Sequence, residues 1–186
     1  MSKAIVFLAE GLEECEGLIV VDILRRAGVE VTTASITDSL TLTSAHGITL
    51  QADLLAAQAD YAAADMVVLP GGMPGTKNLA ASALVKDTCR TFAANPAKWV
   101  AAICAAPSIL GGLGLLQGKA ATSHPAFEDK LFCAEVTHAR FTRDGNIITG
   151  RGLGAAIPFA LELAAVLEGR EKSDAIRAAI CYGHGV

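Results

Sequence analysis

The sequence predicts an α/β fold in which a mostly parallel central sheet carries helices on both faces. Short apolar runs alternate with helical patterns along the chain, an order typical of a doubly wound sheet. Hydrophobic residues make up 52% of the 186 residues and aromatic residues only 5%. Such a composition suits a buried parallel sheet under alanine-rich helices. The length fits one domain, residues 1–186, and no linker or repeat divides it.

Five apolar runs have the length and composition of strands, and helical patterns follow them. The predicted strands are residues 4–8, 29–36, 66–69, 99–103 and 147–149. The predicted helices are residues 13–27, 82–94, 105–116, 154–167 and 172–180. The stretch LTLTSAHGITLQ, residues 40–51, predicts a small β-hairpin beside the sheet.

Charge and hydropathy argue against two classes of partner. The chain has 15 Lys and Arg against 19 Asp and Glu. No basic run stands out, so we expect no nucleic-acid binding. No apolar segment approaches the roughly 18 residues of a membrane span, so no membrane insertion is expected. The N-terminal stretch MSKAIVFLAEGLEE is interpreted as a strand rather than a signal peptide.

The cysteines and histidines predict free thiols and no metal site. Five cysteines without a CxxC pair favour free thiols in a reducing cytosol, and hence a cytoplasmic protein. The histidines show no HxxxH or HxH spacing for a metal. The residues concerned are Cys15, Cys89, Cys104, Cys133, Cys181, His46, His124, His138 and His184.

Four unusual features follow the ends of predicted strands. They are EGLEECEG after the first strand, PGGMPG after a middle strand, Cys104, and GRGLG after a late strand. In an open α/β sheet the ligand crevice lies beyond the carboxyl ends of the strands. The sequence therefore predicts a functional site at this edge.

Glu16 is the acid that the helical pattern predicts to be buried. At about 100° per residue, Glu16 falls within the apolar stripe of the first helix, whereas Glu14 falls on the opposite, solvated side. A buried acid is costly unless it is paired or protonated. We interpret Glu16 as a carboxyl with a raised pKa that holds or donates a proton in the crevice. The alternative is an acid that only serves the helix dipole.

Cys104 lies where a buried strand meets a helix. The run WVAAICAAPSIL places it directly after the strand, with Pro107 in the first turn of the helix. A tight corner presents a nucleophile to the crevice, and the helix N-terminus predicts a lowered thiol pKa. The alternative is a small apolar filler, because cysteine is often buried.

Two glycines and a histidine are candidate companions of Cys104. The adjacent Gly71 and Gly72 let backbone N–H groups approach a ligand and stabilise an oxyanion, or they form only a turn. The loop lacks the lysine and spacing of a P-loop. His124 is either structural or a partner of Cys104. Leu18 and Val21, on the predicted outer face of the first helix, indicate contact with a second subunit.

The segments AEGLEECE, VVLPGGMPGTKNL, AAICAAPSIL, TSHPAFEDKL and ITGRGLGAAIPFAL together resemble the ThiJ/PfpI superfamily. Within it they resemble the branch of the Parkinson-disease protein deglycase and bacterial YajL. The resemblance implies a flavodoxin-like three-layer α/β sandwich of the class I glutamine-amidotransferase type. It also implies a homodimer built partly on the first helix.

The resemblance also implies roles for individual residues. Cys104 matches the reactive nucleophile and Glu16 its protonated partner, while His124 matches the nearby histidine. The backbone donors would belong to Gly71, Gly72 and Ala105, and the pocket or dimer contacts to Arg26, His46 and Arg151. His46 stands where close relatives often carry an arginine, and Ala105 where the protease-like branch carries a histidine. No His-x-Glu pair of a glutamine amidotransferase is present.

The expected function is a cofactor-independent glyoxalase or deglycase in defence against carbonyl and oxidative stress. Cys104 would attack the aldehyde of methylglyoxal or a similar dicarbonyl, or of an early adduct. Glu16 would shuttle protons, His124 would assist the rearrangement, and no metal or cofactor would be needed. One alternative is a redox sensor or oxidation-regulated chaperone in which Cys104 is oxidised to the sulfinate. A second is a structural α/β module without an active site.

Overall fold

A computed structural model describes residues 1–183 of the chain. The strands of this part, in chain order, are β1 Lys3–Leu8, β2 Glu30–Ser35, β3 Thr41–Thr43, β4 Thr49–Gln51, β5 Leu54–Leu55, β6 Met66–Leu69, β7 Trp99–Ile103, β8 Ala120–Ala121, β9 Glu135–Val136, β10 Phe141–Asp144 and β11 Ile147–Gly150. The α-helices are α1 Glu14–Ala27, α2 Gly75–Ala81, α3 Ala83–Ala94, α4 Pro107–Gly112, α5 Ala156–Glu168 and α6 Arg170–Ala179.

The predicted α/β fold with a mostly parallel sheet is confirmed. Seven strands form one sheet in the order β10-β11-β7-β6-β1-β2-β5. Every pairing in it is parallel except that of β10 with β11. From β1 the chain continues to β2 on one side, and the later strand β6 lies on the other side of β1. Such a reversal of strand order is a topological switch point, where α/β sheets bind their ligands.

Two helical layers enclose the sheet, and the side chains of β1 alternate between them. Val6 and Leu8 belong to the apolar cluster that includes α1, α5 and α6. Ile5 and Phe7 belong to the cluster that includes α2, α3 and α4. Since both faces of the strand are covered, its continuous apolar run is that of a central parallel strand.

Two predictions about local structure are incomplete. The predicted helix over residues 105–116 is wrong in extent, because α4 spans only Pro107–Gly112. Glycine is a poor helix former, and Gly114 adopts a left-handed φ of 75° just beyond the helix end. The edge strand β10 is not predicted, although the DGN stretch at residues 144–146 joins it to β11 in an antiparallel pair.

The predicted hairpin at residues 40–51 forms, and its position changes the environment of α1. Val21 is only 7% exposed and lies in the same core cluster as Leu42 of the hairpin. The expectation that Val21 faces outwards is therefore wrong, whereas Leu18 is 45% exposed. Glu14 is also buried rather than solvated, because His46 of the hairpin contacts it.

Within residues 1–183 no helix combines the length and the apolar character that a membrane crossing requires. All five cysteines are free thiols in this part of the chain. Cys89 is fully buried in α3, while Cys15 on α1 is exposed. His184, one of the four histidines, lies outside the described residues.

Candidate active site

The sheet order brings the four predicted features to one edge. Because β11, β7, β6 and β1 are neighbours, their carboxyl ends lie side by side. Glu16 follows β1, Gly71 follows β6, Cys104 follows β7 and Gly152 follows β11. The site is therefore built from segments far apart in sequence that parallel pairing places together.

Cys104 occupies a strained corner between β7 and α4. Its φ of 64° lies in the left-handed region, which non-glycine residues rarely adopt. The Cys104 amide donates to the carbonyl oxygen of Gly150 at 2.9 Å, and its own carbonyl accepts from the His124 amide at 2.9 Å. These two bonds hold the corner that presents the thiol to the crevice.

Glu16 is completely buried beside this thiol, as the apolar stripe predicts. Its Oε2 accepts a hydrogen bond from the Gly71 amide at 3.0 Å. The Cys104 thiol lies within hydrogen-bonding reach of the carboxyl, although Oε1 makes no well-aligned hydrogen bond. Burial, with the nearby charge of Glu13, raises the Glu16 pKa to about 7. The carboxyl can thus hold or release a proton near neutral pH.

Glu13 supports Glu16 and was not predicted from the sequence. It caps α1, with its Oε2 accepting from the Glu16 amide at 2.6 Å. Its own amide donates to the carbonyl oxygen of Gly71 at 2.9 Å. The sequence signal for this role is weak, because Ser, Thr, Asp and Asn, rather than Glu, are the usual N-cap residues.

The glycines of the PGG loop allow three segments to approach closely. A Cβ atom on Gly71 would lie 2.6 Å from the Cys104 Cβ and 2.6 Å from Glu16 Oε2. A Cβ on Gly72 would lie 2.2 Å from the Glu13 nitrogen. The Gly71 amide is engaged by Glu16, so the backbone donors to the Cys104 sulfur are those of Gly72 and Ala105.

The predicted lowering of the Cys104 pKa is wrong. Burial, followed by the charge of Glu16 and the contact with its side chain, raises the pKa of the thiol to about 12. The donors from Ala105 and Gly72 act in the opposite direction but do not outweigh burial. Since an ionised Glu16 is one cause of the raised pKa, the thiol ionises more readily while Glu16 keeps its proton.

His124 lies on the other side of the thiol. Its Nδ1 accepts from the Ala126 amide at 3.2 Å, capping a short 3₁₀ helix over Pro125–Lys130. In the neutral ring the proton is therefore on Nε2, assigned from this bond. A Cβ on Gly152 would lie 3.9 Å from the Cys104 sulfur and 3.9 Å from His124 Cδ2, so the ring and the thiol flank Gly152.

Of the predicted pocket or dimer contacts, Arg151 joins this site and two residues lie elsewhere. Arg151 lines a cavity with His124 and Gly152. Arg26 pairs with Asp22 at 2.7 Å on α1 and lines a different cavity. The Nδ1 atom of His46 lies 3.0 Å from Glu14 Oε1.

Glu13, Glu14 and His46 form a set that sequence spacing does not reveal. One ligand atom from each lies within 4.8 Å of the others, close enough to hold a cation. Glu13 is already engaged by the Glu16 amide and Glu14 by His46, so the three groups satisfy one another without an ion.

Arg140 is a second residue that sequence reasoning misses. Its carbonyl oxygen accepts from the Arg151 amide at 3.0 Å, which places it opposite the chain leaving β11. The signal was the DGN turn before residues 147–149, since a turn of this kind joins two antiparallel strands.

Comparison with known proteins gives one family and several relatives. The DJ-1/PfpI family matches residues 2–166. The Drosophila melanogaster protein dj-1beta is 40% identical over 175 residues, covering 92% of this chain and 93% of its own. The Pseudomonas putida isonitrile hydratase is 38% identical over 120 residues, covering 63% of this chain and 52% of its own.

A solved structure has the same fold throughout. Oxidised DJ-1 from Toxoplasma gondii superposes with a TM-score of 0.93 at 35% identity. The match covers 99% of this chain and 100% of that one. The flavodoxin-like arrangement implied by the sequence is therefore confirmed.

Proposed function

The chain belongs to the DJ-1/PfpI family, and on that basis we propose that it is a cofactor-independent glyoxalase or deglycase-type enzyme. It converts methylglyoxal-like 2-oxoaldehydes, or their early adducts, to hydroxy acids. The family includes enzymes, among them the protein named isonitrile hydratase. The observation that carries the proposal is the buried Glu16 carboxyl beside the Cys104 thiol at a strained corner.

In the first step Cys104 adds to the aldehyde carbon of the substrate. A sulfur–carbon bond forms, and the carbonyl electron pair moves to the aldehyde oxygen. The thiol proton passes to the Glu16 carboxylate and then to that oxygen, giving a hemithioacetal. A Glu16 pKa of about 7 supports this role, because both protonation states are populated near neutral pH.

In the second step Glu16 moves a proton between the two substrate carbons. Its carboxylate takes the proton from the former aldehyde carbon, and the electrons pass through an enediol to the neighbouring carbonyl. The proton of the hemithioacetal hydroxyl passes to the oxygen of that neighbouring carbonyl, and return of the first proton from Glu16 to its carbon gives a 2-hydroxy thioester on Cys104. Water then cleaves the thioester and restores the thiol, so the net reaction is methylglyoxal plus water to lactate.

The remaining groups act as hydrogen-bond donors. His124 offers its Nε2–H, since Nδ1 already accepts from the backbone. The Gly72 and Ala105 amides, which reach the sulfur, also lie close to where an oxyanion would develop on the adjacent carbon. Glu16 is thus the proposed proton carrier, and His124 polarises a substrate oxygen.

Two substitutions test this chemistry through methylglyoxal loss and lactate formation. We expect Cys104→Ala to abolish lactate formation and Glu16→Gln to lower kcat/KM by about 10²- to 10⁴-fold, the range of general acid–base catalysis. In the unsubstituted protein the rate should rise as pH increases through about 7, because the carboxylate of Glu16 is the base.

Cys133→Ala is the matched control, because Cys133 is a half-buried thiol bonded to the Glu135 carbonyl oxygen. It should leave the rate unchanged. Full activity in Cys104→Ala would rule out the proposed mechanism.

The second candidate is a redox sensor or oxidation-regulated chaperone. The Gly72 and Ala105 amides at the sulfur favour it, because they could also hold sulfinate oxygens. The raised thiol pKa does not separate the two candidates, since the thiolate is both the form that attacks an aldehyde and the form that peroxide oxidises. Selective two-oxygen addition at Cys104 after mild peroxide, seen by mass spectrometry, would favour sensing; equal oxidation of all five cysteines would exclude it.

The proposal extends to assembly and location. We propose a homodimer whose interface includes α1, supported by the exposed Leu18 and an adjoining cavity of about 500 Å³. Cys15, Arg26 and Ile180 also line that cavity. Five free thiols are consistent with the proposed location in a reducing cytoplasm.

A further inference from the structure

A second cavity adjoins the thiol on the His124 side. It has a volume of about 300 Å³ and is lined in part by His124, Arg140, Arg151 and Leu153. Gly152 lines the cavity and lies beside the thiol, and a Cβ on it would lie 3.9 Å from the Cys104 sulfur. A small molecule that reacts at Cys104 can therefore extend past Gly152 into this space.

The cavity carries positive charge that its own lining does not neutralise. Two guanidinium groups line it, and within residues 1–183 no carboxylate belongs to the lining. Arg140 donates to the neutral hydroxyl of Tyr182 at 3.2 Å, and no acid in the described chain lies within 4.0 Å of it. Its charge is therefore available to a ligand.

Arg151 retains an unsatisfied donor. Its Nη1 is buried without a hydrogen bond, although Glu128 Oε1 lies 3.5 Å away. The same Glu128 oxygen also lies 3.0 Å from His138 Nδ1, so it is shared. Because Nη1 is buried against Glu128, an anionic ligand would meet the other donors of the guanidinium, which belongs to a side chain that is 33% exposed and lines the cavity.

The folding of β10 against β11 explains why the two arginines meet. Arg140 directly precedes β10, Arg151 directly follows β11, and the Arg151 amide donates to the Arg140 carbonyl at 3.0 Å. The antiparallel pairing fixes this register, since Phe141 lies opposite Gly150. The two arginines are thus placed next to each other at the ends of paired strands.

We propose that Arg140 and Arg151 form an anion subsite beside Cys104, which selects 2-oxoaldehydes that carry a carboxylate or phosphate at the far end. The choice of 2-oxoaldehyde rests on the proposed function, whereas the anion subsite rests on the cavity and its charges. The reaction has the same stoichiometry as with methylglyoxal: one water is consumed, the aldehyde is oxidised to a carboxylate, and the ketone is reduced to an alcohol. The remote anion takes no part in bond making.

Alkylation tests the subsite without any reference to turnover. Iodoacetate and iodoacetamide both transfer their carbon to a thiolate with loss of iodide, and only the first is an anion. The ratio of their rates at Cys104, divided by the ratio at Cys133 of the same sample, should exceed about ten through charge-assisted bonding to arginine. Mass spectrometry of the two cysteine peptides measures it.

Matched variants assign the effect to the named residues. Arg140→Gln and Arg151→Gln should each lower the normalised ratio several-fold, and the double variant should bring it near one. Glu128→Gln should raise the ratio, because it removes the acid that competes for Arg151. Arg90→Gln, which removes an exposed arginine paired with Asp87 on α3, should leave it unchanged. A normalised ratio near one in the unsubstituted protein would overturn the subsite.

Substrate preference tests the choice of substrate. The protein should convert the anion 4,5-dioxopentanoate about tenfold more efficiently than the methyl ester of that acid, because only the anion bonds to the arginines. A phosphate analogue, 3-phosphooxy-2-oxopropanal, shows whether phosphate serves as well as carboxylate. Arg151→Gln should lower the efficiency for the acid far more than that for the ester, which removes the preference. Equal rates for acid and ester would reject the substrate class. Inactivity on all substrates, with a high alkylation ratio, would reject the proposed function and retain the anion subsite.

Discussion

At the scale of single residues, Glu16 is a buried acid on which opposing influences act. Burial and the charge of Glu13 raise its pKa, while the contacts with Cys104 and the Gly71 amide lower it. The result, a pKa of about 7 against an ordinary value of 4.5, means that folding favours the protonated form. Stability must then depend on pH through this residue.

We expect Glu16 to destabilise the protein as pH rises from about 5 to 8. Its favourable contribution is fully present below its unfolded pKa of 4.5 and is lost as pH passes through about 7. At about 1.4 kcal/mol per pH unit, the loss amounts to about 2 to 3 kcal/mol. Urea denaturation of the unsubstituted protein and of Glu16→Gln at both pH values measures it. Between the two pH values, the free energy of unfolding of the unsubstituted protein should fall relative to that of the variant.

Glu16→Gln has no charge to bury, so its own pH dependence comes only from the rest of the chain. Parallel curves for the two proteins between pH 5 and 8 would mean that Glu16 is not held in the protonated form. A second control is Glu10→Gln, at an exposed position between β1 and α1.

The burial of Glu16 could be predicted from helix geometry alone, because the position of a residue on an apolar stripe depends only on local sequence. The pKa of Cys104 could not. The direction of its pKa shift depends on a balance between burial, Glu16 and two backbone donors. The groups concerned come from three separate segments. The helix N-terminus, which sequence does reveal, is the weaker influence.

At the scale of elements, the PGG loop connects the acid and the thiol. The Gly71 amide donates to Glu16. Any side chain at Gly71 would clash with both Glu16 and Cys104. Gly75 packs against Leu12 in the same way. The sequence predicts that Gly71 and Gly72 donate hydrogen bonds to a ligand. In the structure these glycines also allow the PGG loop to approach α1 and the Cys104 corner closely.

Gly71→Ala should therefore separate Glu16 from Cys104. The added Cβ would lie 2.6 Å from atoms of both residues, so we expect an overpacking cost of about 1 to 3 kcal/mol and a loss of lactate formation. Gly112→Ala is the control, since a Cβ there meets nothing within 4 Å. In α4 this change should be neutral or stabilising by up to about 1 kcal/mol.

Denaturation and activity should be measured together on both glycine variants. A Gly71→Ala protein with unchanged stability and unchanged activity would show that the loop can move away without disturbing the pair. That result would make the close approach incidental.

The hairpin β3–β4 is the element whose effect sequence could not anticipate. Its strands were predicted, but its docking on α1 depends on Leu42 entering the core cluster and on His46 reaching Glu14. Helix angles alone assign Val21 and Glu14 to the outer side. Long-range packing of this kind leaves no periodic signal in a single sequence.

At the scale of the whole molecule, the order of strands explains why the fold and most of the site were predictable. Alternating strands and helices imply a parallel sheet, and a parallel sheet gathers its carboxyl ends at one edge. Cys104, Glu16 and Gly71 meet for that reason. The sequence does not predict that Arg140 lies near this edge, because its position depends on the single antiparallel pairing of the sheet.

The outer side of α1 carries the last prediction, that the molecule is a dimer. Leu18 is 45% exposed beside an apolar cavity that also contains Ile19 and Ile157. A monomer would leave this surface in water, whereas a second copy would bury it. We therefore expect sedimentation equilibrium to give twice the mass of the chain at micromolar concentration.

Leu18→Glu should weaken the dimer by about 10²- to 10⁴-fold in Kd, because it buries an unpaired charge at a cost of about 3 to 5 kcal/mol. Phe132→Glu is the control: Phe132 is 65% exposed and lies outside the cavity on α1, so its loss should leave the mass unchanged. If both variants remain dimeric, the interface lies elsewhere. If both dissociate, association depends on general surface hydrophobicity rather than on α1, and the exposed cavity beside Leu18 would need another occupant.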